Sequence, residues 1–296
     1  MASPHLVSDD APPLSGVREP VGEASWHLPS GAPVSRHNLC GLARPCLRQA
    51  LRTQRFRFFE ATVLLVVTGQ LTLDDETHRL VVDSPSSLIL VDPSTCTDIL
   101  KTPGGDEGRF RSIFLTLSTG LLAEFHRHYV STRTKERRSM AFQQVLLDDD
   151  LSSTFGHCVQ SIEARQVSNQ RLLHRLMDLL IALSERGHQF ACDGLQTTTS
   201  ERLRSLISEA PERHWTALEA GRELAMSEST LRRRLATEQV RFEELLLDTR
   251  MHHAMMLMQT TAWTIPHIAQ ACGYKSRTRF AERFKERFGR APSTVR

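Results

Sequence analysis

The chain has 296 residues, 40% of them hydrophobic, 24% charged and 6% aromatic, and a formal net charge of +3 at pH 7. That content supports two domains with cores of their own and excludes a fibrous or low-complexity chain. No run of 18 apolar residues occurs, so no membrane span is expected. Six scattered cysteines (Cys40, Cys46, Cys96, Cys158, Cys192, Cys272), with no C-x-x-C pair, read as reduced thiols of a cytoplasmic protein rather than a metal or disulfide set. The charge is uneven: residues 195–296 hold 17 Lys/Arg against 12 Asp/Glu, and residues 1–194 hold 20 against 22. A basic C-terminal part suits contacts with nucleic-acid phosphates.

Residues 1–35 are rich in Pro, Ser, Gly and Ala, carry acids at Asp9, Asp10, Glu19 and Glu23, and lack a signal peptide's apolar core. They read as a loosely ordered arm. From about residue 55 the pattern turns to short strands. Residues 55–58 alternate, 61–68 form a continuous β-branched and Leu run ending at Gly69, and 71–73 lead to an Asp74-Asp75 turn. Segments 78–82, 87–91, 97–101 and 109–117 follow, separated by Pro85, Pro93 and Pro103-Gly104-Gly105. Such regular short strands point to a small barrel or sandwich. Residues 121–130, 140–147, 151–165 and 170–186 read as helices, 192–199 as a linker, and 200–209 as an amphipathic helix.

The C-terminal part holds two similar units. In residues 215–238, Leu218, Gly221 and Leu224 mark one helix, Ala225-Met226 break it, and Ser227 caps a second helix packed through Leu231 and Leu235. Its opposite face carries Ser229 and Arg233, flanked by Thr230 and Arg232. Residues 241–259, without Gly or Pro and with a broad Leu/Met face, form one connecting helix. In residues 265–296, Ile268, Ala269 and Cys272 mark a helix that stops at Gly273-Tyr274; Ser276 then caps another, with Phe280, Phe284 and Phe288 at i, i+4 and i+8. Gly289 ends it, with Pro292 beyond. With the phenylalanines inward, Thr278, Arg279 and Glu282 face outward on its first turns, as base-reading residues of a recognition helix do.

The series Trp215, Leu224, Met226-Ser227, Leu231, Arg233, Leu235, Arg250, Ala254, Ile268-Ala269, Cys272-Gly273-Tyr274, Ser276, Phe280, Arg283-Phe284, Phe288-Gly289, Pro292 and Arg296 closely resembles the AraC/XylS DNA-binding domain. The resemblance covers about the last 85 residues. It implies two helix-turn-helix units entering successive major-groove segments of double-stranded DNA, with base-reading roles at Ser229, Arg232 and Arg233 and at Arg277, Thr278 and Arg279. The helical wheel puts Arg277 nearer the buried side, suiting it to phosphate. Gly221, where the family usually has Ala, and Ala225, where the turn often has Gly, imply a less rigid first unit. Glu282 would repel phosphate unless it accepts from a cytosine amino group. Residues 66–95 are similar in order to the cupin-like sensor barrel of this family, and the helices after it stand where the family forms its dimerisation surface.

The expected architecture is therefore α+β in two domains: an arm (1–35), a cupin-like sensor and dimerisation domain (36–191), a linker (192–199) and an AraC-type DNA-binding domain (200–296). The expected function is a sequence-specific transcription regulator, an activator by resemblance, acting in the cytoplasm on nucleoid DNA with RNA polymerase. A small-molecule effector controls it through the N-terminal domain, as a homodimer or monomer. The alternative is an N-terminal domain that is a protein-interaction module titrated by an anti-activator. No catalytic residue, cofactor or metal is expected: metal cupins need two or three converging His and a carboxylate, whereas the strands offer only His78. His126-Arg127-His128 falls in a helix, where residues two apart diverge, and adjacent His252-His253 diverge likewise. A remote alternative is a methyl-accepting Cys46, since Pro45-Cys46-Leu47-Arg48 resembles the Pro-Cys-His-Arg of some alkylation-repair proteins. It lacks the histidine that generates the thiolate.

Overall fold

The computed structural model describes residues 31–129, 140–164, 166–191 and 198–295. The expected arm over residues 1–30, linker residues 192–197, the helix ends at Val130 and Arg165, and Arg296 lie outside them. The described strands are β1 (Val34–Arg36), β2 (Cys40–Ala43), β3 (Cys46–Leu47), β4 (Leu51–Arg57), β5 (Ala61–Thr68), β6 (Gln70–Asp74), β7 (Arg79–Val82), β8 (Ser87–Val91), β9 (Cys96–Thr102), β10 (Phe110–Leu117) and β11 (Phe142–Leu146). The helices are α1 (Thr119–Tyr129), α2 (Asp149–Glu163), α3 (Asn169–Glu185), α4 (Thr199–Glu209), α5 (Ala217–Glu223), α6 (Glu228–Thr237), α7 (Phe242–Thr260), α8 (Ile265–Ala271) and α9 (Arg277–Phe288).

The strands form two antiparallel sheets. One has the order β1-β2-β10-β5-β8-β11, with β3 also on β10; the other has the order β4-β9-β6-β7. No pairing joins them among the described residues, so the expected barrel is a pair of stacked sheets, not a closed ring. The larger sheet is covered on both faces. Val63, Leu65, Leu88, Leu90 and Leu115 pack with Leu122 of α1, Phe155 of α2 and Leu176 of α3. Leu64, Val66, Ile89 and Val91 pack with Leu51, Leu71, Leu73 and Ile99 of the smaller sheet. This is why β5 and β8 read as unbroken apolar runs: alternate residues are buried on opposite faces.

The same geometry overturns one expectation. Residues 140–147 do not form a helix; β11 lies along β8, with Phe142 opposite Val91 and Val145 opposite Leu88. Phe142 enters the inter-sheet core and Val145 the helix-side core, so two residues three apart are both buried. Their spacing imitates a helical stripe. Strands β1 to β3, over Val34–Leu47, were not anticipated either; they are two to four residues long, too short for a periodic signal.

The C-terminal helices follow the expected plan. Thr198 and Glu201 close a capping box on α4, and Thr216 and Glu219 close another on α5. Ser227 caps α6 by accepting from the Thr230 amide, and Ser276 caps α9 by accepting from Arg279. Gly289 ends α9 in the left-handed conformation. The first unit packs Leu203 and Ile207 of α4 with Trp215, Ala220, Leu224, Leu231 and Leu235. Leu218, expected inside, is 44% exposed. The second unit buries Phe280, Phe284 and Phe288, with neighbouring ring centroids 5.9 and 4.8 Å apart. Its core is continuous with the inter-sheet core through Met251, Met255 and Met258 of α7.

Phe284→Ala should therefore remove roughly 3–5 kcal/mol and melt the α8–α9 unit first in a thermal unfolding series. Melting indistinguishable from the parent chain would sink that core assignment.

Candidate nucleic-acid interface

All six residues expected to read bases are exposed: Ser229, Arg232 and Arg233 on α6, and Arg277, Thr278 and Arg279 on the first turn of α9. Arg277 is exposed, as Thr278 and Arg279 are. The guanidinium groups differ in their engagements. Arg232 donates from Nε to Glu228 at 3.0 Å and from a terminal nitrogen to Glu243 of α7 at 3.2 Å, and must exchange these partners to reach a base. Ser229 lies 3.0 Å from the Ser227 hydroxyl, close to the N-terminus of α6. Glu282 is exposed on the same side of the buried phenylalanine stripe as expected.

The placement of the two units depends on Arg250 of α7. Its Nε donates to the Pro211 carbonyl at 2.9 Å and a terminal nitrogen to the Arg213 carbonyl at 2.7 Å, both in the loop before α5. The same guanidinium lies 5.8 Å from the Tyr274 ring in the second unit's turn. Gly273, at φ +77°, is needed there: a Cβ would lie 2.5 Å from the Arg250 guanidinium and 2.9 Å from the Pro211 oxygen. In the first unit the equivalent break holds Ala225 at φ 56°, an unfavourable conformation for a residue with a Cβ. Gly221 lets that turn close, since a Cβ there would meet the Met226 carbonyl at 3.0 Å.

The far end of α9 meets the β-rich domain. Arg287 pairs with Asp248 of α7, donates to His252 Nε2 at 3.1 Å, and lies 3.5 Å from the Arg55 carbonyl. Arg55, at φ 48°, sits in a bulge of β4 where the register with β9 shifts. His252 is enclosed by Phe56, Phe59 and Phe288, with ring centroids 4.7, 4.8 and 5.7 Å away. Burial pushes its pKa down to about 3, and its Nε2 accepts from Arg287 as a neutral imidazole must.

Beside this joint is an open cavity of about 1320 Å³ between the β-rich domain and helices α4 and α7. Phe59, Phe114, Met256 and Trp263 supply apolar wall; Arg204, Glu60 and His253 supply polar groups. The Arg204 guanidinium stacks 3.8 Å from the Phe59 centroid, and its buried Nε has no hydrogen-bond partner among the described residues. Burial raises the Glu60 carboxyl above its ordinary value against the pull of Thr116 and Arg204, and lowers the His253 imidazole. Sequence reasoning did not bring these residues together, because they come from elements distant in the chain.

Other candidates are not assembled for chemistry. Cys46 on β3 is 5% exposed and burial raises its thiol, the opposite of what a methyl-accepting thiolate requires. His126 and His128 lie on α1, and His78 packs against Phe142. Among the described residues no three His, Cys, Asp or Glu side chains converge as metal ligands, and no helix is long and apolar enough to cross a membrane.

A helix-turn-helix domain family model matches residues 221–296, the first turn through the second recognition helix. The chain is 27% identical over 240 residues to the transcriptional regulator SirC of Salmonella typhi, covering 76% of this chain and 81% of SirC. Residues 221–296 thus carry an AraC-type helix-turn-helix domain. The chain is 28% identical over 125 residues to the virulence regulon transcriptional activator VirF of Shigella flexneri, 42% of this chain and 48% of VirF. ToxT from Vibrio cholerae shares the two-domain fold. Its apo form has a TM-score of 0.57 at 18% identity, covering 88% of this chain and 98% of ToxT. A form bound to an unsaturated fatty acid has 0.53 at 17%, covering 88% and 96%. The chain is thus a DNA-binding transcription regulator with a β-rich, cupin-like N-terminal domain.

The neutral His252 gives an acid response with a definite sign. An exposed histidine titrates near 6.5, the native one near 3, so the unfolded chain binds the extra proton between these values. Its contribution to stability should be intact above pH 6.5 and fall progressively towards pH 3. Denaturant titrations at pH 7, 5.5 and 4.5 should show this for the parent chain and a shallower slope for His252→Phe. Equal slopes would contradict the neutral assignment.

Proposed function

We propose that the chain is a transcriptional activator whose two recognition helices, α6 and α9, enter successive major-groove segments of its operator. Ser229, Arg232 and Arg233 read bases in one half-site and Arg277, Thr278 and Arg279 in the other, while RNA polymerase is recruited nearby. The single observation that carries this reading is the exposure of these six residues on two units tied to one connector through Arg250. The activator sign is supported by the likeness to VirF. The domains divide at 192–199, residues 36–191 receiving the signal and 200–296 binding DNA. The chain acts without catalysis, in the cytoplasm, with homodimerisation through the N-terminal domain.

The signal is an effector with an apolar body and an acidic or acceptor-bearing head, seated in the cavity between the domains. The partnerless Arg204 Nε and the aromatic walls favour such a molecule, and ToxT was crystallised with an unsaturated fatty acid. Occupancy shifts the population of arrangements able to engage both half-sites.

Arg233→Ala should lose roughly 1–3 kcal/mol of binding to an operator selected from genomic fragments, with little change on random DNA. An equal loss on both would make Arg233 a phosphate contact. For the effector, unsaturated fatty acids at about 100 times Kd should raise stability by roughly 2.7 kcal/mol, and Arg204→Ala should weaken that gain. No stabilisation at any chain length would remove the acyl-effector reading and leave DNA recognition standing.

A further inference from the structure

The joint between the smaller sheet and helix α7 is largely apolar, with polar contacts at the Arg287–Asp248–His252 cluster and, about two turns further along α7, at Lys101. Lys101 of β9, 7% exposed, donates from Nζ to Oε1 of Gln259 at 2.6 Å; Gln259, in the last turn of α7, is 3% exposed. Leu51 of β4 and Leu71 of β6 lie in register with Lys101, and the Phe110 ring of β10 is 5.8 Å from Nζ. The nearest charged groups on these strands point elsewhere. Arg52 is exposed and paired with Asp98, each one strand position or an odd number of positions off the Lys101 face; Asp74 is likewise three residues from Leu71; Arg111 pairs with Glu107. On α7 the nearest ionisable groups, His252 and His253, stand about two turns back, and burial pushes the Cys46 thiol of β3 up. A buried ammonium here would have one amide oxygen and, 5.8 Å away, one ring face in place of its water shell.

We infer that Lys101 makes the interdomain joint proton-linked: the domains dock with this side chain as a neutral amine and shed a proton in doing so. The neutral amine still donates to Gln259, so the hydrogen bond survives while the desolvated charge does not. Burial alone lowers the docked pKa from 10.5 to about 7. When the domains separate, Lys101 returns to water and to its ordinary value. Between these values the undocked form holds more protons, so the docking constant rises by up to about tenfold per pH unit from pH 7 towards 10.5. Below about pH 7 both forms are charged and the dependence vanishes. The inference does not need the effector proposed above, since no ligand enters it.

The test is single-molecule energy transfer between dyes on the two domains of the full chain, from pH 6.5 to 10. The ratio of docked to undocked molecules should be flat up to about pH 7 and then climb. Lys101→Met should stay docked throughout, and Lys101→Arg, which keeps its proton, should stay open throughout. Because Lys101→Met leaves the Gln259 amide unmatched, the double variant Lys101→Met with Gln259→Leu serves as a second apolar joint and should behave as the single one does. A parent ratio that stays constant from pH 7 to 10, or a climb that persists in both apolar variants, overturns the inference.

Discussion

One guanidinium, that of Arg250, fixes where the two DNA-reading units stand. It rises from the middle of α7, holds the Pro211 and Arg213 carbonyls on one side and lies against Tyr274 on the other. A lysine could not do the same, because the carbonyls are taken by two nitrogens of one planar fork while its face is turned to a ring. Gly273 follows from it, since no side chain fits between the second turn and the fork. Through this contact the exposed faces of α6 and α9 are both set relative to one common helix.

The N-terminal domain reaches that helix through a layered core. The larger sheet is buried on both faces, by helices on one side and the smaller sheet on the other, and the smaller sheet shares its apolar cluster with α7, α8 and α9. Polar contacts within this joint are few and specific: Lys101 with Gln259, Arg287 with Asp248 and the β4 bulge, and a neutral His252 among three rings. The cavity wall formed by β4 and α7 is therefore also the wall that steadies the second recognition helix.

How much was legible follows from where each signal resides. The helix-turn-helix units were readable because their caps, turns and Phe280–Phe284–Phe288 stripe are local, and the strands from residue 61 to 117 because they end at Gly, Pro and Asp turns. Residues 140–147 misled because an edge strand that buries one residue on each face spaces its apolar side chains as a helix does. The joint itself was invisible: Arg204, Glu60, Lys101 and Gln259 have no meaning until elements more than a hundred residues apart come together.

The shared core bears on how such a protein can diversify. Where two domains are joined by a free tether, recombination can trade one for another and keep both functional. Here the face of the smaller sheet and the methionine side of α7 are complementary surfaces of one interior, matched down to a single lysine and glutamine. A new sensor grafted onto these DNA-binding helices would arrive without the partner for Gln259, Met251 and Met255, and would leave them facing water. A change on one side of this joint is thus tied to a matching change on the other.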